Sequence, residues 1–173
     1  NNLTGRSASE LACLLKASSS TTTTTLTNLI LSYNRLGDEA ISIVADALSD
    51  NRSLMKLMLE SVQISIKGVH RLAQMLRHNK TLCYLDLNKN SLDGDCMNSL
   101  ADALQENESL EHLYLNDCKL TDACIPSIID MIKCNRSLRS FELVNNGLTK
   151  EGKWELSEVY RSQKSCSIYL EFD

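Results

Sequence analysis

Apolar residues along this chain recur in two rhythms that alternate within a fixed length. Set out in rows of 28 residues, the sequence gives five full units, starting at Leu26, Leu54, Leu82, Leu110 and Leu138. Position 4 of the row holds Leu29, Leu57, Leu85, Leu113 and Phe141; position 6 holds Leu31, Leu59, Leu87, Leu115 and Leu143. Polar residues fall between them, as in LCYLDL (82–87) and LEHLYL (110–115), and this period of two predicts a short strand with one buried face. A further apolar column follows at position 11: Leu36, Ile64, Leu92, Leu120 and Leu148. The second half of each row then changes period. Ile41, Val44, Ala45 and Leu48, or Met97, Leu100, Ala101 and Leu104, follow the spacing i, i+3, i+4, i+7 and share one side of a helix. Ser65, Asp93, Thr121 and Thr149 at position 12 are predicted N-caps. Position 15 stays small (Ala40, Gly68, Cys96, Cys124, Gly152), which lets each helix approach its neighbour closely.

A strand and helix of this size cannot bury their own apolar sides, so each unit depends on the next and the chain must stack. The reading is one domain over residues 1–173. Residues 1–25 form a partial repeat with a Ser/Thr-rich insertion, full repeats occupy 26–53, 54–81, 82–109, 110–137 and 138–165, and 166–173 form a terminal strand. Asn1 fits position 9 of the partial unit, placing Leu3, Leu11, Ala12 and Leu15 in their apolar columns. That unit lacks a strand of its own, as expected of a segment from a longer chain. The tract SSSTTTTT (18–25) reads as a mobile loop. In CSIYLEFD the alternation of Ile168, Leu170 and Phe172 reads as a strand whose register the sequence leaves open. Tyr160 falls on an inward helical position, and Trp154 outside or over the end of the stack.

The pattern LxxLxLxxN/CxL with a following helix resembles the leucine-rich repeat family, and the 28-residue unit its ribonuclease-inhibitor-like branch. LEHLYLNDCKLTDAC (110–124) is similar to that branch's cysteine-bearing repeat, and LCYLDLNKNSL (82–92) to its asparagine-bearing one. The resemblance implies an α/β solenoid bent into a horseshoe arc, with a parallel β-sheet on the concave face and α-helices on the convex face. It also implies a turn ladder at position 9 from Asn34, Asn90 and Asn146, with Cys118 as a weaker donor. Val62 cannot donate, so the second unit is expected to have an altered or water-filled turn.

Asn51, Asn79, Asn107 and Asn135 each begin an Asn-x-Ser/Thr sequence, the acceptor pattern for N-glycosylation. They also recur every 28 residues at position 26, just past each helix. A repeat explains that spacing and a sugar signal does not. Asparagine tolerates the left-handed conformation that ends helices, and this predicts a structural role there.

Composition narrows the function. The net charge of −4 offers no basic footprint for nucleic acid or an anionic membrane. No apolar run reaches the roughly 18 residues of a membrane-spanning helix. Seven cysteines, an odd number without a CxxC pair, are expected to be reduced thiols in a cytoplasmic setting. Phosphate-cradling, metalloprotease and nucleophile-elbow motifs are missing. His112 and Cys118 belong to different sides of the strand turn, and Cys118, Cys124 and Cys134 lack the close pairing of structural zinc ligands. The sequence thus predicts no catalytic residue, metal or cofactor.

Binding remains. Ile30, Tyr33, Met58, Glu60, Tyr84, Asp86, His112 and Tyr114 occupy outward positions of the sheet side and form the candidate partner-binding set. On that side Arg35, Lys56, Lys89 and Lys119 balance Glu60, Asp86, Asp117 and Glu142, unlike the acidic surface expected of an inhibitor of basic ribonucleases. The expected function is a non-enzymatic protein-interaction module from a larger receptor, scaffold or regulator. The resemblance also admits a Ran-directed GTPase-activating regulator or an actin-filament end-capping domain.

Overall fold

Strands and helices alternate through the computed structural model, which describes residues 3, 5–17, 26–163 and 167–169. The order is α1 (Gly5–Ala17), β1 (Asn28–Ile30), α2 (Gly37–Ser49), β2 (Lys56–Met58), α3 (Ile66–His78) and β3 (Tyr84–Asp86). Then come α4 (Gly94–Glu106), β4 (His112–Tyr114), α5 (Ile125–Cys134), β5 (Ser140–Glu142), α6 (Lys150–Gln163) and β6 (Ser167–Tyr169). The six strands form one parallel sheet in chain order. Its register is the repeat made physical: Leu29, Leu57, Leu85, Leu113 and Phe141 lie in one row, each strand displaced 28 residues from the last. Only the last pairing departs, with Phe141 opposite Ile168, a displacement of 27. Asn1, the tract 18–25, Leu170 and Phe172 lie outside the described residues.

Parallel strands sit about 4.8 Å apart, whereas packed helices need about 8–10 Å. Joining one strand to one helix per unit therefore bends the stack, with the sheet on its inner side. Between the layers lie the apolar columns, among them Leu57, Leu59, Leu85, Leu87, Leu113 and Leu115, all fully buried. The helical columns close over them, with Leu48, Leu72, Leu76, Leu100 and Leu104 at 0% exposure. Leu156 is likewise buried in α6, Tyr160 is half-buried and Trp154 is exposed.

The asparagines at position 26 form a buried column, with Asn51, Asn79, Asn107 and Asn135 between 1% and 5% exposed. Asn79 Nδ2 donates to Leu48 O in the preceding helix (2.7 Å), Asn107 Nδ2 to Leu76 O (2.7 Å) and Asn135 Nδ2 to Leu104 O (2.6 Å). Asn51 does the same for Leu15 O at 2.7 Å. Each side-chain carbonyl accepts from the backbone N–H groups two and three residues on, such as Ser109 N (3.0 Å) and Leu110 N (2.8 Å) on Asn107. One amide thus satisfies a terminal carbonyl of one helix and fixes the chain entering the next strand. The left-handed conformation predicted here does not occur: Asn79, Asn107 and Asn135 are extended, with φ of −71°, −78° and −67°. Their role is cross-unit bonding, and a glycan on these buried amide nitrogens is incompatible with the fold.

Position 9 makes a second column at the opposite end of the strands. Asn90 Nδ2 donates to Leu59 O (2.8 Å) and Leu87 O (3.0 Å), and Asn146 Nδ2 to Leu115 O (2.8 Å) and Leu143 O (2.9 Å). Asn34 Nδ2 reaches Leu31 O at 2.9 Å. Cys118 Sγ contacts Leu87 O (3.3 Å) and Asn116 O (3.4 Å), matching the asparagine pattern with a weaker donor. The turn expected to be altered at Val62 is regular instead. Val62 is fully buried, its N–H bonds Asn90 Oδ1 at 3.0 Å, and its carbonyl accepts from Gly37 N at 3.2 Å. The neighbouring Asn90 supplies both the acceptor for Val62 N and a donor to Leu59 O, and Asn34 Nδ2 covers Leu31 O, so the turn closes although Val62 makes no side-chain bond of its own.

Helix starts differ between units for a traceable reason. Asp93 Oδ1 caps Cys96 N (2.9 Å), and Thr149 Oγ1 caps Gly152 N (3.1 Å). Ser65 accepts more weakly, from Lys67 N at 3.4 Å. Thr121, a predicted cap, makes no such bond. Pro126 has no N–H to return to Asp122, and a tight 3-10 turn (Asp122–Cys124) opens that helix instead. Asp38 caps across units: its carboxylate accepts from Ser65 N (2.7 Å), Ser65 Oγ (2.6 Å) and Gly68 N (3.1 Å). Asp122 treats Thr149 N (2.9 Å) and Thr149 Oγ1 (2.5 Å) likewise. Where a unit carries aspartate at position 13, the next unit has glycine at position 15. A Cβ on Gly68 would lie 2.7 Å from Asp38 Oδ1, and one on Gly152 2.5 Å from Asp122 Oδ1.

Two stability results follow. Asn107→Ala takes the side-chain partner from three backbone groups, Leu76 O, Ser109 N and Leu110 N, and is expected to cost about 3 kcal/mol or more in urea unfolding; a cost below about 1 kcal/mol would contradict the column's role. Gly68→Ala should cost about 1–2 kcal/mol through the clash with Asp38, and most of this should vanish in an Asp38→Ala background. Burial raises the Asp38 carboxyl, but the Ser65 hydroxyl, the amides of Ser65 and Gly68, and Lys67 outweigh it and hold it below its ordinary value. Its contribution is therefore complete above the ordinary carboxylate range and fades as pH falls through the lowered value.

Candidate partner-binding surface

Strand positions 3 and 5 point away from the core, and the register gathers them into two rows. One runs Asn28, Lys56, Tyr84, His112, Ser140; the other runs Ile30, Met58, Asp86, Tyr114, Glu142. The chain then turns at position 8, where Tyr33, Ser61, Lys89, Asp117 and Asn145 all have φ between 54° and 59°. Side-chained residues pay about 1 kcal/mol for that left-handed geometry. At Tyr33, Ser61, Lys89 and Asp117 it is held because the N–H bonds the next unit's position 7 carbonyl, as Lys89 N does to Asn116 O at 2.9 Å.

Position 7 side chains secure the same rim. Ser32 Oγ accepts from Glu60 N (3.2 Å), Asn88 Oδ1 from Asn116 N (2.7 Å) and Asn116 Oδ1 from Val144 N (2.7 Å). Glu60 breaks the series because its carboxylate is committed elsewhere. It accepts from Tyr33 Oη (2.5 Å) and pairs with Lys89 Nζ (2.8 Å), while Lys89 also reaches Tyr33 Oη at 3.2 Å. These bonds hold the Glu60 carboxyl below its ordinary value. Asn88 N is taken instead by Asp86 Oδ1 at 3.0 Å.

An aromatic group occupies the middle of the face. Tyr84 and Tyr114 have ring centroids 4.9 Å apart, His112 lies 5.9 Å from Tyr84, and Lys56 Nζ sits 3.9 Å over the Tyr84 ring. Asp86 is only 5% exposed between Met58 and Tyr114. Burial pushes its carboxyl above the ordinary value, the nearby Glu60 and Glu142 add to this, and Asn88 N and Lys56 oppose it. Burial likewise pushes the Tyr84 hydroxyl up to about 12, helped by Tyr114, Asp86 and Glu142. His112 Nδ1 is buried without a hydrogen-bond partner among the described residues.

The structure thus divides the candidate set. Tyr84, His112, Tyr114 and Asp86 meet at the centre, Tyr33 and Glu60 form a second group at the rim, and Ile30 and Met58 are neighbours in the outer row. Ile30 and Tyr33 are 66% and 63% exposed, so the N-terminal side of the face is the more open. Lys56 and Lys89, left out of the set, bind both groups into it; their pairing depends on register between units rather than on local sequence. Cys118 lies in the buried turn column, bonded to Leu87 O and Asn116 O. Among the described residues no group of three or more His, Cys, Asp or Glu side chains is placed to hold a metal ion.

Known proteins share this architecture. A family model described as "Leucine Rich repeat" matches residues 23–42, and one described as "Leucine Rich Repeat" matches residues 109–131. Comparison with curated proteins gives no match. Among solved structures, leiomodin-1 actin-binding site 2 superposes with a TM-score of 0.71 at 19% identity, over 90% of this chain and 88% of that one. A tropomodulin C-terminal domain from Caenorhabditis elegans gives 0.71 at 16% identity, over 91% and 93%. At such identities the likeness is one of fold.

The raised carboxyl of Asp86 has a measurable consequence. An acid whose folded value exceeds its unfolded value favours the folded state at low pH and loses that advantage as pH rises. Asp86→Asn keeps an acceptor for Asn88 N but removes the charge, so it should raise the urea midpoint at pH 7. The gain should shrink toward pH 3, and a loss of stability at pH 7 would contradict the burial of an unpaired charge.

Proposed function

Because the chain is a leucine-rich repeat protein whose sheet keeps one face open, we propose that it is a non-enzymatic interaction module gripping a protein partner with its concave face. The central observation is the Tyr84–Tyr114–His112 group with Lys56. Aromatic rings set among charges supply large contact area at low entropic cost and are frequent binding hot spots. The core does not use them: it is built from the apolar residues of positions 4, 6 and 11 and the inward side chains of the helices. The face is also pre-organised, since its rim is fixed by the position 7 bonds before any partner arrives. Free Cys13 and Cys134 on the surface fit a reducing, cytoplasmic site of action. No helix among the described residues is long and apolar enough to cross a membrane.

A second reading is that the partner is actin, favoured by the likeness to leiomodin-1 actin-binding site 2 over nearly the full length of both chains. Co-sedimentation with filamentous actin, and its effect on filament elongation, test this partner directly.

Under the main reading, Tyr84→Ala/Tyr114→Ala reduces partner affinity by about tenfold or more while leaving the urea midpoint nearly unchanged. The measurement is a quantitative pull-down with wild type alongside. Undiminished recovery by the folded double variant would remove the concave face as the binding surface.

A further inference from the structure

We propose that the centre of the concave face is a seat for an arginine side chain presented by the protein partner, with the guanidinium against the Tyr114 ring, beside the Tyr84 ring that Lys56 covers, and its N–H groups on Asp86. This rests on the proposed function and adds the chemistry of the partner's anchor.

The fold uses Asp86 as an acceptor and not as a charge. Its Oδ1 receives Asn88 N, which a neutral asparagine would receive equally well. Equivalent positions in the other units are Ile30, Met58, Tyr114 and Glu142, so the strand sets no demand for an acid there. A buried carboxylate nevertheless carries a desolvation cost that only a cation or several hydrogen bonds can offset. The nearby cations are engaged: Lys89 is bonded to Glu60 and Tyr33, and Lys56 lies over the Tyr84 ring. Among the described residues no ion pair within 4.0 Å includes Asp86. Glu142 spends one oxygen on Asn116 Nδ2 (2.8 Å) and otherwise adds negative potential.

Three carboxylates against two committed lysines favour a cationic guest and repel an anionic one. The upward shift of the Asp86 carboxyl by burial and by Glu60 and Glu142 describes the same unmet need. An apolar guest would cover Asp86 while leaving it unpaired. The aromatic component decides between the two basic side chains. Lys56 already shows that the Tyr84 ring accepts a cation on its face. Arginine can stack its plane on a ring and direct a fork of N–H donors to a carboxylate at once, whereas a lysine ammonium is a single point charge.

The test uses 15N-labelled protein and three blocked pentapeptides, Gly-Gly-X-Gly-Gly, with X arginine, lysine or citrulline. Arginine peptide should give saturable shifts at the amides of Asp86, Asn88 and Tyr114, with citrulline about tenfold weaker or more and lysine between them. Asp86→Asn should cut arginine binding about tenfold while folding at least as stably as wild type. Equal binding of citrulline and arginine, full affinity in Asp86→Asn, or no shift at about 20 mM arginine peptide would each overturn the seat. The protein partner separates the two levels of the argument. If Asp86→Asn keeps full recovery and Tyr84→Ala/Tyr114→Ala loses it, the arginine seat fails and concave-face binding stands. Full recovery by both variants removes both.

Discussion

Everything in this molecule depends on buried asparagine amides that bond from one repeat to the next. In a strand of three residues and a helix of about thirteen, apolar burial sets which face turns inward, but being non-directional it supplies no partner for the backbone groups left between one unit and the next. The amide of Asn79, Asn107 or Asn135 cannot slide. It must meet a carbonyl of the preceding helix on one side and two N–H groups of its own turn on the other. Leaving those groups unpaired costs on the order of 1–3 kcal/mol each, so the column sets the 28-residue pitch that the leucines then fill. The position 9 column does similar work at the other end of each strand, and it tolerates Cys118 and even Val62 because the adjacent unit supplies part of the bonding.

Once the pitch is fixed, the outer surfaces are free to differ. On the helical side, α3 carries Lys67, Arg71 and Arg77 with no acid, while α2 carries Asp38, Glu39 and Asp46, and α4 carries Asp95, Asp102 and Glu106. Arg71 pairs with Asp46, and Arg77 with Glu106 at 2.7 Å. Exposed pairs of this kind contribute only a few tenths to about 1 kcal/mol each. Alternating sign between neighbouring helices therefore says more about which helix sits beside which than about total stability. On the sheet side, strained backbone at position 8 and a buried, unpaired Asp86 both work against stability. The stack is strong enough to carry them, and such features gather where a surface is shaped for a partner.

The fold was legible because its signal is written repeatedly. The period of two in LCYLDL and the helical spacing in Ile41, Val44, Ala45 and Leu48 give the strands and helices, and the 28-residue spacing gives the parallel register. What local reading missed lies between units. Thr121 has the right chemistry for a cap, but Pro126 changes the turn it would serve. Asparagine after a helix suggested a left-handed end, yet the carbonyl it bonds is about thirty residues earlier in sequence, as with Asn107 and Leu76. Asp86 occupies an outward strand position and is nonetheless buried, because Met58 and Tyr114 flank it in register. Lys56 over Tyr84 and Lys89 on Glu60 are likewise contacts between strands, which no single repeat reveals.

Native-state hydrogen exchange tests the asparagine column most directly. The amides of Leu54, Leu82, Leu110 and Leu138 each donate to the side chain of the position 26 asparagine, at 2.7 to 2.8 Å. If these bonds set the pitch of the stack, the four protons exchange only when whole repeats open, with protection equal to that of the strand centres at Leu57, Leu85 and Leu113. Exchange of Leu82 and Leu110 at the rate of exposed turns, while the strand centres stay protected, would show that the leucine layers hold the register without the asparagines.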